Sequence, residues 1–217
     1  MASEYLRCKA REEKLLNWLY YHRLHLIAAA VLLWIGGSIL WNGLGIGQIR
    51  PDYIFAYIGQ DELPQETAAQ LESALAALGE DVNGDGTVAV ELRQYALNRS
   101  GEAETALYYN YAANTQLMAD LTAGDSYFFL VQDPQAVQRA WQIFAMPDGS
   151  PPEDSDWEAM DKVYGWPDCP VLAGLPLEQE ALTPLYFGRR CFYEERQASG
   201  QAANDAFWQV LTKGAQR

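Results

Sequence analysis

Tyr53–Ile58 reads YIFAYI, a continuous apolar and aromatic run closed in front by Pro51-Asp52 and behind by Gly59. Such a run suits a strand covered on both faces, because neither side of its pleat is left to water. Pro64 then opens a helical pattern through Leu78, with Ala68, Leu71, Ala74, Leu75 and Leu78 on one stripe and Gly79 as the stop. Strand followed by amphipathic helix is the unit from which the rest of the reading grows.

The unit recurs downstream. Thr87–Leu97 (TVAVELRQYAL) alternates at Val88, Val90 and Leu92 as a second strand. From Glu104 to Thr122 apolar side chains return at Leu107, Tyr111, Leu117, Met118 and Leu121, and Ala123-Gly124-Asp125 ends that helix. Tyr127–Val131 (YFFLV) is a third buried-type strand, and Asp133-Pro134 caps a helix reaching about Phe144. Strands alternating with helices predict an α/β fold, a mainly parallel sheet with helices on both faces. After this βαβαβα series the signal thins. PDGSPPEDSD (147–156) predicts a solvated stretch opening a loop-rich insert at about 147–184, with a short helix near Trp157–Val163. Leu185–Tyr193 (LYFGRRCFY) reads as a late strand, and Asp205–Lys213 as a closing helix that buries Phe207, Trp208 and Leu211.

Strand YIFAYI, helix QETAAQLESALAAL, strand TVAVELRQYAL, a helix ending in LMADLTAGD and strand SYFFLVQDP follow one another in an order that resembles the first lobe of bacterial extracellular solute-binding proteins. The resemblance is one of pattern, over roughly half of the chain. It implies binding of a small solute that is delivered to a transporter. Members of that family close two lobes on their ligand, whereas residues 51–217 supply little more than one.

Ahead of this domain, Leu24–Ile46 (LHLIAAAVLLWIGGSILWNGLGI) runs without an Asp, Glu, Lys or Arg. About 20 apolar residues in a helix cross a hydrocarbon core of about 30 Å, so residues 24–46 are expected to be a transmembrane helix in contact with membrane lipid. Trp18, Tyr20, Tyr21 and Trp41 lie where aromatic rings settle at the two interfaces. Five basic residues precede the run and only Arg50 follows it closely, so residues 1–23 are expected in the cytoplasm and residues 51–217 outside. The apolar run exceeds that of a signal peptide and no A-x-A-like site follows it, which favours a retained single-pass anchor. Gly43 and Gly47 have the spacing that lets two membrane helices approach, although glycine is common in such helices without pairing them.

Charge divides the chain in the same place. Residues 1–50 carry six Lys/Arg against three Glu, and the remainder nine basic against 26 acidic residues. A domain of that sign repels phosphate backbones, so nucleic acid is excluded as a partner. Both histidines, His22 and His25, belong to the amino-terminal segment. The outer domain therefore cannot assemble a Ser/His/Asp, Cys/His or histidine-containing zinc site from its own residues. No G-x-x-x-x-G-K-[ST] loop is present either.

The sharpest local motif is Asp81-Val-Asn83-Gly-Asp85-Gly86-Thr87. Oxygen-bearing residues at loop positions 1, 3 and 5, glycine at 6 and the Thr87 carbonyl at 7 match the first half of a calcium loop, with Glu91 as the nearest acid for its far end. The same residues also make a tight turn without any ion, since Asn-Gly and Asp-Gly tolerate positive φ. Cys169 and Cys191, both on the oxidising side, would tie the insert to the sheet if bridged, or remain two buried thiols. No catalytic residue stands out. The expected role is that of a membrane-anchored, non-enzymatic extracytoplasmic interaction or accessory domain, whose partner outside the cell is a protein or a small solute. Binding of a small solute or sugar, a calcium-dependent surface module and a carboxylate-based hydrolase are the alternatives.

Overall fold

The computed structural model describes residues 18, 20–38, 50–97, 103–192 and 200–216, in two compact units, 1–49 and 50–217. The first unit shows helix α1 over residues 20–38, with Leu24, Ile27, Leu32, Leu33 and Trp34 exposed along it. Among the described residues no helix is long and apolar enough to cross a membrane. The span expected at 24–46 runs on through residues 39–46, which lie outside the described residues.

The second unit is a mixed α/β domain on a five-stranded sheet. Its elements are β1 (Tyr53–Gly59), α2 (Gln65–Ala76), β2 (Val90–Ala96), α3 (Ala103–Ala123), β3 (Phe128–Val131), α4 (Pro134–Trp141), β4 (Val163–Gly165), α5 (Pro170–Ala173), β5 (Tyr186–Arg189) and α6 (Gln201–Leu211). The strand order is β2-β1-β3-β5-β4. β1 pairs in parallel with β2 and β3, whereas β5 runs antiparallel between β3 and β4. Four of the five strands thus point one way.

Alternation along β1 explains why the sheet carries two cores. Phe55 and Tyr57 face one side, where Phe128, Leu130 and Phe187 meet Leu71 and Leu75 of α2, Leu172 of α5 and Phe207, Trp208 and Leu211 of α6. Ala56 and Ile58 face the other, with Phe129, Val131, Leu117 of α3 and Val137 of α4. α2 on one face and α3 on the other is what right-handed crossovers impose when the chain runs first to one side of β1 and then to the other. The first core is largely aromatic: Phe55 stacks on Phe128 at 4.6 Å between centroids, Phe187 lies 4.7 Å from Trp208, and Tyr53 lies 4.1 Å from Phe207.

Two expectations are corrected. The residues of 157–163 form no helix: the chain turns there and Val163 begins β4. The cause is Lys162, fully buried, whose ammonium donates to Asp156 Oδ2 at 2.7 Å, Asp161 Oδ1 at 2.8 Å and the Glu158 carbonyl at 2.7 Å, wrapping the segment around the cation. The apolar repeat in α3 also packs differently from its reading. Leu117 is buried, yet Leu107 is 71% exposed, Tyr111 73% and Met118 50%. The 147–184 stretch contributes Trp166, Cys169, Leu172, Leu175 and Leu182 to the first core.

Candidate functional site

In a parallel sheet, neighbouring strands whose following helices lie on opposite faces leave a crevice beyond their carboxyl ends. β1 and β3 are such a pair, since α2 covers one face and α4 the other. At this edge lies a cleft of about 690 Å³ lined by residues that include Gly59 and Gln60 after β1, Leu97 after β2, Gln132 and Asp133 after β3, Asn114 of α3 and Trp141 of α4.

Each polar group there is placed by the backbone. Gln132 N–H donates to the Ile58 carbonyl at 3.1 Å, extending the β1–β3 ladder by one residue, and Gln60 N–H donates to Gln132 Oε1 at 2.8 Å, clasping the two strand ends together. Asp133 caps α4, accepting from Ala136 N–H at 2.9 Å. Asn114 donates through Nδ2 to the Asn110 carbonyl at 2.8 Å. Gln132 Nε2, Asp133 Oδ2 and Asn114 Oδ1 are left without a partner among the described residues. Gly59 admits no side chain, because a Cβ would overlap the Tyr57 phenol, which donates to the Asp61 carbonyl at 3.1 Å. Burial pushes the Tyr57 hydroxyl up to about 12, so it stays a neutral donor. The cleft thus offers one donor, two acceptors, one of them a carboxylate oxygen, and an indole beside them.

None of these residues carries a periodic sequence signal. The signal that finds them is positional: polar residues directly after two runs of buried-strand type, Gly59-Gln60 after YIFAYI and Gln132-Asp133 after YFFLV.

The motif residues named from the sequence lie elsewhere. Asp81, Asn83, Asp85 and Thr87 share one loop, whose side-chain oxygens accept from its own backbone. Asp81 Oδ1 and Oδ2 take the N–H groups of Gly84 and Gly86 at 2.7 and 2.8 Å, Asn83 Oδ1 that of Asp85 at 2.9 Å, and Asp85 Oδ1 that of Thr87 at 2.9 Å. Gly84 and Gly86 have φ of 75° and 88°, the left-handed region that glycine supplies. Asp52, which the sequence reading passed over, accepts the N–H groups of Val82, Asn83 and Ala89 and ties the loop to the start of β1. Glu91 lies on β2 and pairs with Arg93 at 3.0 Å. Among the described residues no group of three or more His, Cys, Asp or Glu side chains is arranged to hold a metal ion. Cys169 and Cys191 are both buried, and no disulfide joins them. Burial pushes the Cys169 thiol up to about 12, with Asp168 adding to the shift.

Two buried clusters have the character of braces. Asp120 accepts from Tyr95 Oη at 2.6 Å and from Ser126 N and Oγ at 2.9 and 2.5 Å, joining α3 to β2 and to the approach to β3. Arg189 at the end of β5 pairs with Asp205 of α6 and donates to Tyr127 Oη, with its guanidinium carbon 5.4 Å from the Trp208 ring centroid. Compared with protein-family models, with curated proteins and with solved structures, the chain matches none of them.

Proposed function

We propose that this protein is a single-pass, membrane-anchored extracytoplasmic binding domain without enzymatic activity, and that it takes a small neutral polyhydroxylated solute in the cleft beyond β1 and β3. The observation that carries this reading is the crevice itself, at the switch point of the sheet, where ligands of open α/β folds bind. Its donor, acceptors and indole suit sugar hydroxyls and the apolar face of a pyranose. For the anchor, the support is that residues 24–38 of the charge-free run are helical, with most of their large apolar side chains exposed. The amino terminus inside and the domain outside follow from the basic residues that precede the run. The likeness to one lobe of solute-binding proteins agrees with this reading.

Titration calorimetry of the full chain in detergent, against neutral mono- and disaccharides with free amino acids as the contrasting panel, tests the proposal. Saturable heat with a sugar that Trp141→Ala and Gln132→Leu each weaken about tenfold or more is the expected result. Absence of heat from every sugar, or affinity untouched by both substitutions, would sink it.

A second reading has its own observation. Leu107, Tyr108, Tyr111 and Met118 stand exposed along α3, whose residue Asn114 lines the same cleft. This supports a protein partner seated beside the ligand, the accessory role expected from the sequence.

A further inference from the structure

α3 is covered along one side only. Leu117 and Asp120 are buried and Asn110 and Ala113 half-buried, whereas Glu104, Tyr108, Tyr111, Thr115, Met118 and Thr122 are all exposed. The spacing of these six alternates between four and three residues, the period of a coiled-coil seam, and draws one line down the outer side of the helix. Leu107 and Ala119, also exposed, flank that line and widen its apolar surface. We infer that the line is the seam of a homodimer, on which α3 of a second copy of this chain packs antiparallel. The inference rests on the reading of α3 as a partner surface and names the partner.

Charge is the first reason to choose a second copy. Residues 51–217 carry nine basic against 26 acidic residues, yet no charged residue occurs from Thr105 to Ala119. Two domains of one sign repel each other over most of their surfaces and can meet where neither presents a carboxylate. The same sign disfavours an anionic membrane as the occupant, and a charge-free line offers nothing to a strongly charged protein.

Size is the second. Antiparallel pairing that keeps all six residues in register sets Tyr108 opposite Met118, Tyr111 opposite Thr115 and Glu104 opposite Thr122, each pair repeated by a two-fold axis. Every bulky ring then meets a smaller or more flexible side chain, and the Met118 sulfur meets an aromatic ring. Parallel pairing would instead set ring on like ring and Glu104 on Glu104. A surface complementary to itself under a two-fold axis is what an isologous dimer requires.

The third reason is that the line can be dried without stranding a hydroxyl. Thr115 Oγ1 already donates to the Tyr111 carbonyl at 2.9 Å, and Thr122 Oγ1 to the Met118 carbonyl at 2.7 Å. Unpaired polar groups are what makes a surface costly to bury. The hydroxyls of Tyr108 and Tyr111 sit at the tips of long rings and stay in water at the rim.

Light scattering of the full chain in detergent should give the protein mass of two chains. Tyr111→Glu puts a carboxylate on the seam of each copy and should return the mass of one. Because Tyr111 is exposed in the single copy, that variant should still melt cooperatively. Register is read by disulfide capture in a Cys8→Ser background, where Tyr108→Cys combined with Met118→Cys should give a covalent dimer on oxidation. The two positions lie about 15 Å apart along one helix, too far to bridge within a copy. Met118→Cys alone should not bridge, since the antiparallel register holds the two copies of that residue about as far apart. A monomeric wild type, a dimer that survives Tyr111→Glu, or capture by Met118→Cys alone overturns the inference. A benzophenone amino acid in place of Tyr111, irradiated in cells, separates this inference from the reading beneath it. Adducts between two copies support the homodimer. Adducts with a different protein overturn it but keep α3 a partner surface, and adducts with lipid, or none, remove both.

Discussion

The phenol of Tyr95 on β2 donates to Asp120 Oδ2 of α3 at 2.6 Å, inside the core between sheet and helix. Asp120 is only 4% exposed, its other hydrogen bonds come from Ser126, and Arg93 Nη1 of β2 lies 3.6 Å from Oδ2, so one carboxylate holds together β2, the last turn of α3 and the approach to β3. Tyr95→Phe removes one bond to a buried charge and should cost about 1.5–3 kcal/mol. Asp120→Ala leaves the phenol and the Ser126 groups unsatisfied and should cost about 3 kcal/mol or more. Urea midpoints of the full chain in detergent check both. A Tyr95→Phe midpoint equal to wild type would contradict the bond.

Lys162 gives the domain a pH signature. Its hydrogen bond, together with the Glu158 N–H, holds the Asp156 carboxyl below its ordinary value of 3.8. A carboxyl depressed in the folded state contributes stability above that ordinary value and loses it as pH falls through the lower folded value. Burial alone would lower the Lys162 ammonium, but Asp156 and Asp161 outweigh it and leave the group above its ordinary 10.5. That contribution is complete below 10.5 and fades as pH rises through the folded value. Lys162→Met removes the second contribution and the larger part of the first, leaving Asp156 only its bond from the Glu158 N–H. Its melting temperature should therefore fall less steeply than that of wild type below about pH 4 and above about pH 10.5. Parallel pH profiles for the two proteins would refute the coupling.

The loop at 81–87 separates two chemistries with one measurement. Each Asp81 oxygen already accepts a backbone N–H, so Asp81→Ala should lower stability by about 1–2 kcal/mol whether calcium or a chelator is present. Asp52→Ala should cost about 2–3 kcal/mol, because three N–H groups lose their acceptor. Wild-type melting in millimolar calcium and in chelator should coincide if the loop is a plain turn. A midpoint raised by calcium would establish an ion site, since a ligand that prefers the native state must stabilise it.

Why some of this architecture was legible and some was not has a physical basis. The stripes of α2 and α6 face one core each, so Leu71, Leu75, Phe207, Trp208 and Leu211 are buried as their periodicity predicts. α3 has the same residue types at similar spacing, but only its Leu117 side is covered, and periodicity cannot tell a packed apolar face from an exposed one. β4 escaped because three residues carry no period, and its place beside β5 depends on a pairing between distant segments. The cleft escaped for a related reason. Gln60, Gln132, Asp133 and Asn114 come from three separate stretches, and only the strand order brings them to one edge. Asp52 was missed because its partners are backbone N–H groups some thirty positions downstream, which no side-chain motif records.

The two thiols of the α/β domain put the proposed topology to a labelling experiment. Cys169 is packed among Trp166 and Leu172 in the first core, and burial raises its thiol to about 12, so the reactive thiolate is scarce at neutral pH. Cys191 is buried at the end of β5, its N–H bonded to the Ile143 carbonyl at 2.7 Å. An impermeant maleimide applied to intact cells should therefore leave both unlabelled until denaturant is added, with no reductant required. Cys8 precedes the apolar run and should react only after the membrane is permeabilised. Labelling of Cys8 on intact cells would reverse the orientation drawn from the basic residues. Labelling of Cys169 and Cys191 that needs reductant as well as denaturant would show that they are bridged.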